Sequence, residues 1–133
     1  MTSASPQSGP RLIRPFDEQP LVGKIFGAVI APALFGSVSG WVLGLSAGGY
    51  WALQVIATIG GFLAGLEHRD ARSGAIRGVI GGAIFGSSIL LVRALADRAD
   101  HASLGDAPGV LPLITAVVGA ILGALGGWRS RIG

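Results

Sequence analysis

An all-α integral membrane protein with four transmembrane helices, built as two tandem parallel two-helix repeats, is the fold class this sequence predicts. Three observations predict it. Half of the 133 residues are hydrophobic, only 13% are charged, and the mean hydropathy is +0.65. Soluble domains carry about 25% charge, and a short soluble chain has no interior large enough to hide so much apolar surface, so lipid is the expected solvent. No charged residue occurs between Lys24 and Glu67, a run of 42 residues. Finally, residues 29–37 (Val-Ile-Ala-Pro-Ala-Leu-Phe-Gly-Ser) return fifty positions later at 79–87 (Val-Ile-Gly-Gly-Ala-Ile-Phe-Gly-Ser), identical at six of nine positions.

Residues 1–20 are expected to form a flexible polar N-terminal tail, because they hold four of the seven prolines and little apolar content. They lack the apolar stretch of a signal peptide. A single four-helix membrane domain then covers 21–133, with repeat one at about 24–68 and repeat two at about 74–129. A spanning helix needs about 20 residues, so the long uncharged run accommodates two, at roughly 24–45 and 50–67. The turn between them is placed at Ser46-Ala47-Gly48-Gly49, near Trp41, Tyr50 and Trp51, whose amphipathic rings favour the headgroup level.

The third span is placed at about 74–96. Arg77 and Arg93 leave 15 uncharged residues between them, which is about 22 Å of helix and short for a hydrocarbon core of about 30 Å. Both arginines are expected to snorkel outward along their aliphatic stems. The fourth span is placed at about 108–128. Asp106 and Pro108 open it, and Trp128, Arg129 and Arg131 close it.

Lys and Arg near span ends set orientation. Arg11, Arg14, Lys24, Arg69, Arg72, Arg77, Arg129 and Arg131 fall on one side, against Arg93 and Arg98 on the other. Both termini are therefore expected to be cytoplasmic, N-in and C-in. Nine of the ten basic residues are arginine, and Ala and Gly are abundant. That composition is associated with a GC-rich bacterial genome, so the expected location is the bacterial inner membrane.

Glycines recur every fourth position: Gly36, Gly40 and Gly44; Gly61 and Gly65; Gly74, Gly78, Gly82 and Gly86; Gly119, Gly123 and Gly127. Residues four apart share one helix face. In lipid, helices associate through close van der Waals contact, which small residues permit, so glycine-zipper packing is expected. The spacing is compatible with packing inside one chain and with a homo-oligomer.

Several positions are candidates for function. Pro32 removes a backbone donor in mid-span, and its repeat counterpart is Gly82. Paired interruptions in two halves point to a binding site in membrane proteins, although a kink that improves packing is the simpler reading. Ser37, Ser39, Ser87 and Ser88 either line a polar path or bond back to their own helices. Gln54 and Thr58 either bridge helices or touch a substrate. These readings make Pro32, Ser37, Gln54, Thr58, Gly82 and Ser87 the candidate pore or substrate path. Glu67 and Arg77 are the candidate interface charge pair, a structural clamp or a topology signal.

The chemistry that is missing narrows the classes. There is no cysteine, and His68 and His101 fall on opposite sides, so no metal site or cofactor is expected. His101 with Asp97 and Asp100 reads as a solvated acidic loop. The glycines at 78–82 sit in an apolar span and form no nucleotide loop. The basic residues flank apolar segments without forming a stripe, so no nucleic-acid partner is expected. Catalysis needs convergent acid, base or metal groups, and the spans lack them, so the chain is read as no enzyme. Two functions remain: a homo-oligomeric channel or facilitator for a small solute or ion, and a non-catalytic accessory or scaffold subunit of a larger membrane complex. The bilayer is the common partner of both.

Overall fold

The computed structural model describes residues 15–133 and is all-helical, with no strand among the described residues. Four helices are long and apolar enough to cross a membrane: α1 (Leu21–Leu43), α2 (Ala47–Leu66), α3 (Ala71–Ala96) and α4 (Pro108–Ile132). The chain is thus a multi-pass membrane protein in outline. The four helices overlap the expected spans and differ at their ends, for local reasons. The first turn comes slightly earlier than the sequence suggests: α1 ends at Leu43, and Ser46 caps α2 by accepting the Gly49 N–H at 3.1 Å. Asp70 caps α3 in the same way, accepting the Ser73 N–H at 2.8 Å. Asp97 ends α3 in the left-handed region at φ 46°. The fourth helix runs past residue 128 to Ile132, carrying Arg129 and Arg131 in its last turn, where cations suit the helix dipole.

Helix α3 is central. On one side it meets α4 in opposite directions: Gly74 packs on Gly123, Gly78 on Gly119, and Gly82 on Thr115. On the other side it meets α1 in the same direction: Gly36 packs on the Phe85 carbonyl and Gly40 on the Ile89 carbonyl. Helix α2 completes the bundle against α4, where Gly65 packs on Gly123 and Gly126 packs on Phe62 and Gly65. Each of these contacts is so close that a methyl group on the glycine would meet a neighbouring backbone carbonyl.

The apolar centre lies toward the end where α1 gives way to α2. Leu43 and Ile89 are fully buried there, with Tyr50, Phe85 and Ala102 around them. Most other large apolar side chains, such as Leu34, Val55, Leu91 and Leu113, face outward, as lipid-facing residues do.

A segment outside the helices docks at each end of the bundle. At one end the loop after α3 folds back, with Ala102 buried in the apolar centre and the His101 N–H donating to the Leu43 carbonyl at 2.9 Å. At the other end a short 3-10 turn, Phe16–Glu18, docks on the α2–α3 loop. The Phe16 N–H donates to the Glu67 carbonyl at 2.7 Å, its ring stacks on His68 at 4.9 Å, and Glu18 pairs with Arg69 at 3.3 Å. The segment expected to be a tail therefore carries an anchored stretch at 15–20. Phe16 is the reason, since its ring finds an aromatic partner there. Positions 1–14 of that tail, including Arg11 and Arg14, lie outside the described residues.

Candidate functional site

Arg77 is a charged residue within a span, and its surroundings begin with a local defect in α1. Residues Phe26–Ile30 form a π turn, in which the Ala31 N–H reaches back to the Phe26 carbonyl. Pro32 follows immediately, with no N–H of its own. Proline and π turns are each known sites of helix kinks, and here the two lie side by side.

Arg77 stands on α3 beside this defect, half-buried, and donates from Nη2 to the Gly27 carbonyl. Its Nε is buried and has no hydrogen-bond partner. Gly81, one turn further along α3, leaves the space the guanidinium occupies: a methyl there would lie 2.7 Å from Nη1 and 3.6 Å from the Pro32 ring. Arg77 thus does not snorkel outward as its position in the sequence suggests. It reaches along its helix toward the span centre, because a backbone acceptor waits on α1.

Arg93, at the other end of the same helix, behaves as expected. Its Nε donates to both Asp100 carboxylate oxygens at 2.8 and 2.7 Å, beyond the helix end. Arg98 lies over the Trp41 ring at 4.2 Å. Asp100 is therefore engaged with Arg93, and the acidic loop around His101 is a structural turn.

The remaining sequence candidates are not gathered at one place. Pro32 lies beside Gly81 and Arg77, whereas Gly82, its repeat counterpart, faces α4, where Thr115 Oγ1 donates to its carbonyl at 2.7 Å. Ser37 and Ser39 donate to Ala33 and Phe35, four residues back on their own helix, at 2.7 and 2.9 Å. Thr58 does the same to Gln54 at 2.8 Å. Ser87 is exposed and, with Ala83, Ile84, Ser88 and Leu91, lines a shallow groove of about 310 Å³ on the outside of α3. The Gln54 side-chain nitrogen is buried without a partner. Glu67 and Arg77 form no ion pair within 4 Å: the Glu67 carbonyl serves Phe16, while Arg77 serves Gly27. Each of the ten glycines proposed for helix packing (Gly36, Gly40, Gly44, Gly61, Gly65, Gly78, Gly82, Gly86, Gly119 and Gly123) has a neighbour within this chain.

The partnership of Arg77 with Gly27 was not anticipated from sequence, yet a signal for it exists. The register that aligns Phe35 with Phe85 also sets Gly27 level with Arg77. Among the described residues, no group of three or more His, Cys, Asp or Glu side chains is placed to hold a metal ion. Comparison with protein-family models, with curated proteins and with solved structures finds no match to this chain.

Proposed function

We propose that this chain is a non-catalytic accessory or scaffold subunit of a larger assembly in the bacterial inner membrane, with both termini cytoplasmic. The observation that carries this reading is how the polar groups within the spans are used. Ser37, Ser39 and Thr58 each donate to a carbonyl of their own helix, so they give little to a solute path. The glycine faces close helix on helix within one chain, in the manner of a glycine zipper. Such a unit offers a rigid apolar surface in the bilayer. The likeness of 29–37 to 79–87 supports a duplicated hairpin as the origin of the parallel α1 and α3.

A second reading is a homo-oligomeric channel or facilitator whose path runs around an oligomer axis. The outer groove of α3, where Ser87 and Ser88 sit among apolar side chains, favours it. Native mass spectrometry of the complex after gentle purification from its source, paired with solute flux in liposomes, separates the two. The accessory reading expects one copy bound to a larger protein, and no flux from the chain alone. A homo-oligomer without another subunit that passes a small solute or ion would overturn it.

A further inference from the structure

We infer that Arg77 supplies, from α3, the hydrogen-bond donor that Pro32 withholds from α1, so that the first part of α1 is a hinged arm latched by one guanidinium. The register of the π turn makes the need specific. Ala31 donates five residues back, to Phe26. In that register the next carbonyl, Gly27, is due the N–H of residue 32, and residue 32 is proline. The Gly27 carbonyl is left without its helical donor inside a helix long and apolar enough to cross a membrane, where an unpaired carbonyl is strongly unfavourable. Arg77 Nη2 fills that vacancy. Gly81 makes the approach possible, since a methyl there would collide with Nη1, whereas one on Gly27 would meet Nη2 only in ordinary contact at 3.8 Å.

The arm itself is lightly held. No residue from Leu21 to Ile30 is buried, and Leu21, Val22, Ile25, Phe26, Val29 and Ile30 are all exposed. Close backbone packing of α1 on α3 begins only at Gly36. A π turn followed by proline is a weak point in a helix, and the tight seam lies on one side of it only. The charge that holds the arm belongs to another helix, so α1 and α3 are coupled at this level through a single charge-assisted hydrogen bond. This device is independent of whether the chain is an accessory subunit or a pore.

The test is hydrogen exchange of segment 21–31 in the full chain in nanodiscs, for Arg77→Gln, Pro32→Ala and the double variant. Loss of the latch in Arg77→Gln is expected to speed exchange in this segment about tenfold, the worth of a hydrogen bond to a charged group, and to leave α4 unchanged. Pro32→Ala restores a backbone N–H: it either donates to Gly27 or lets the π turn relax so that Ala31 does. The double variant is therefore expected to return to within about twofold of the parent. Arg77→Lys, which keeps a charged donor, is expected to stay near the parent. If Arg77→Gln fails to fold, the double variant is expected to recover folding. An exchange rate unchanged by Arg77→Gln overturns the inference, as does an effect of Arg77→Gln that Pro32→Ala leaves intact, or a double variant that stays unfolded.

Discussion

Helix α3 has two seams, and they are built differently. Toward α4 both partners contribute glycine, so Gly78 and Gly119 each lie against the other's carbonyl and the two backbones touch. Toward α1 the backbone contacts rest on glycines of one partner, while Gly81 of α3 makes room for Arg77 beside Pro32. Gly36 and Gly40 of α1 receive the backbone of Phe85 and Ile89, the Phe35 and Phe85 rings stack at 6.5 Å, and Arg77 spans the gap at the level of Gly27. The first seam is close contact along four glycine levels. The second is close over one stretch, then gives way to a side-chain bridge beside the π turn. Near-identical segments thus do different work: Gly36 of the first Phe-Gly-Ser packs on α3, while Gly86 of the second packs on Pro112 and Thr115 of α4.

The largest effect is expected from overpacking the two-sided seam. Gly78→Ala or Gly119→Ala places a methyl against a carbonyl that only a helix shift can clear, and is expected to cost about 2–3 kcal/mol in unfolding measured in bicelles. The double variant is expected to cost less than the sum, since one separation relieves both clashes. A fully additive result would mean that the two glycines do not share a contact.

Gly40→Ala tests the one-sided seam. Its methyl would lie 2.6 Å from the Ile89 carbonyl oxygen, but α1 has lipid behind it and can move. A smaller cost, about 1–2 kcal/mol, is expected in the same assay. A cost matching that of Gly78→Ala would erase the contrast between the seams.

The cap that starts α3 gives a pH-dependent effect. The Ser73 N–H, and next the Ser73 hydroxyl, hold the Asp70 carboxyl below the usual carboxylate range. Because the folded value is lowered, this contribution is present above the ordinary carboxylate pKa and is lost as pH falls through the lowered one. Asp70→Ala is expected to speed exchange at Ser73 and Gly74 near neutral pH and to match the parent in acid, once intrinsic rates are corrected. Equal protection of those amides in parent and variant at neutral pH would show that the cap does not matter.

Gly60→Ala marks the floor. Nothing lies within 4 Å of a methyl there, so the change is expected to be neutral or to stabilise α2 by up to about 1 kcal/mol. A loss comparable to that at Gly78 would point to a partner covering the outer face of α2.

Much of this was legible in the sequence. The 42-residue uncharged run and the two later apolar segments place four spans, since length and hydropathy alone decide what crosses lipid. Glycines four apart announce flat helix faces, because that periodicity is a property of the helix. The reading of Ser37 and Ser39 as self-bonded was available, as hydroxyls within helices commonly bond back; the same bond at Thr58, expected to bridge helices or touch a substrate, was not read. What periodicity does not carry is the partner of each face. Gly82 and Pro32 align in sequence, yet Gly82 meets α4 and Pro32 meets Gly81. Phe16 sits among prolines and polar residues, and only the fold brings His68 beneath it. Arg77 and Arg93 look alike as flanks of one span, yet one turns inward and the other outward. The sequence by itself determined the solvent, the number of spans and the small-residue faces, because these follow from local composition and the helical repeat. Only the tertiary structure decided which faces meet and which way Arg77 points, because an orphaned carbonyl and a waiting donor become partners only when two helices fifty residues apart lie side by side.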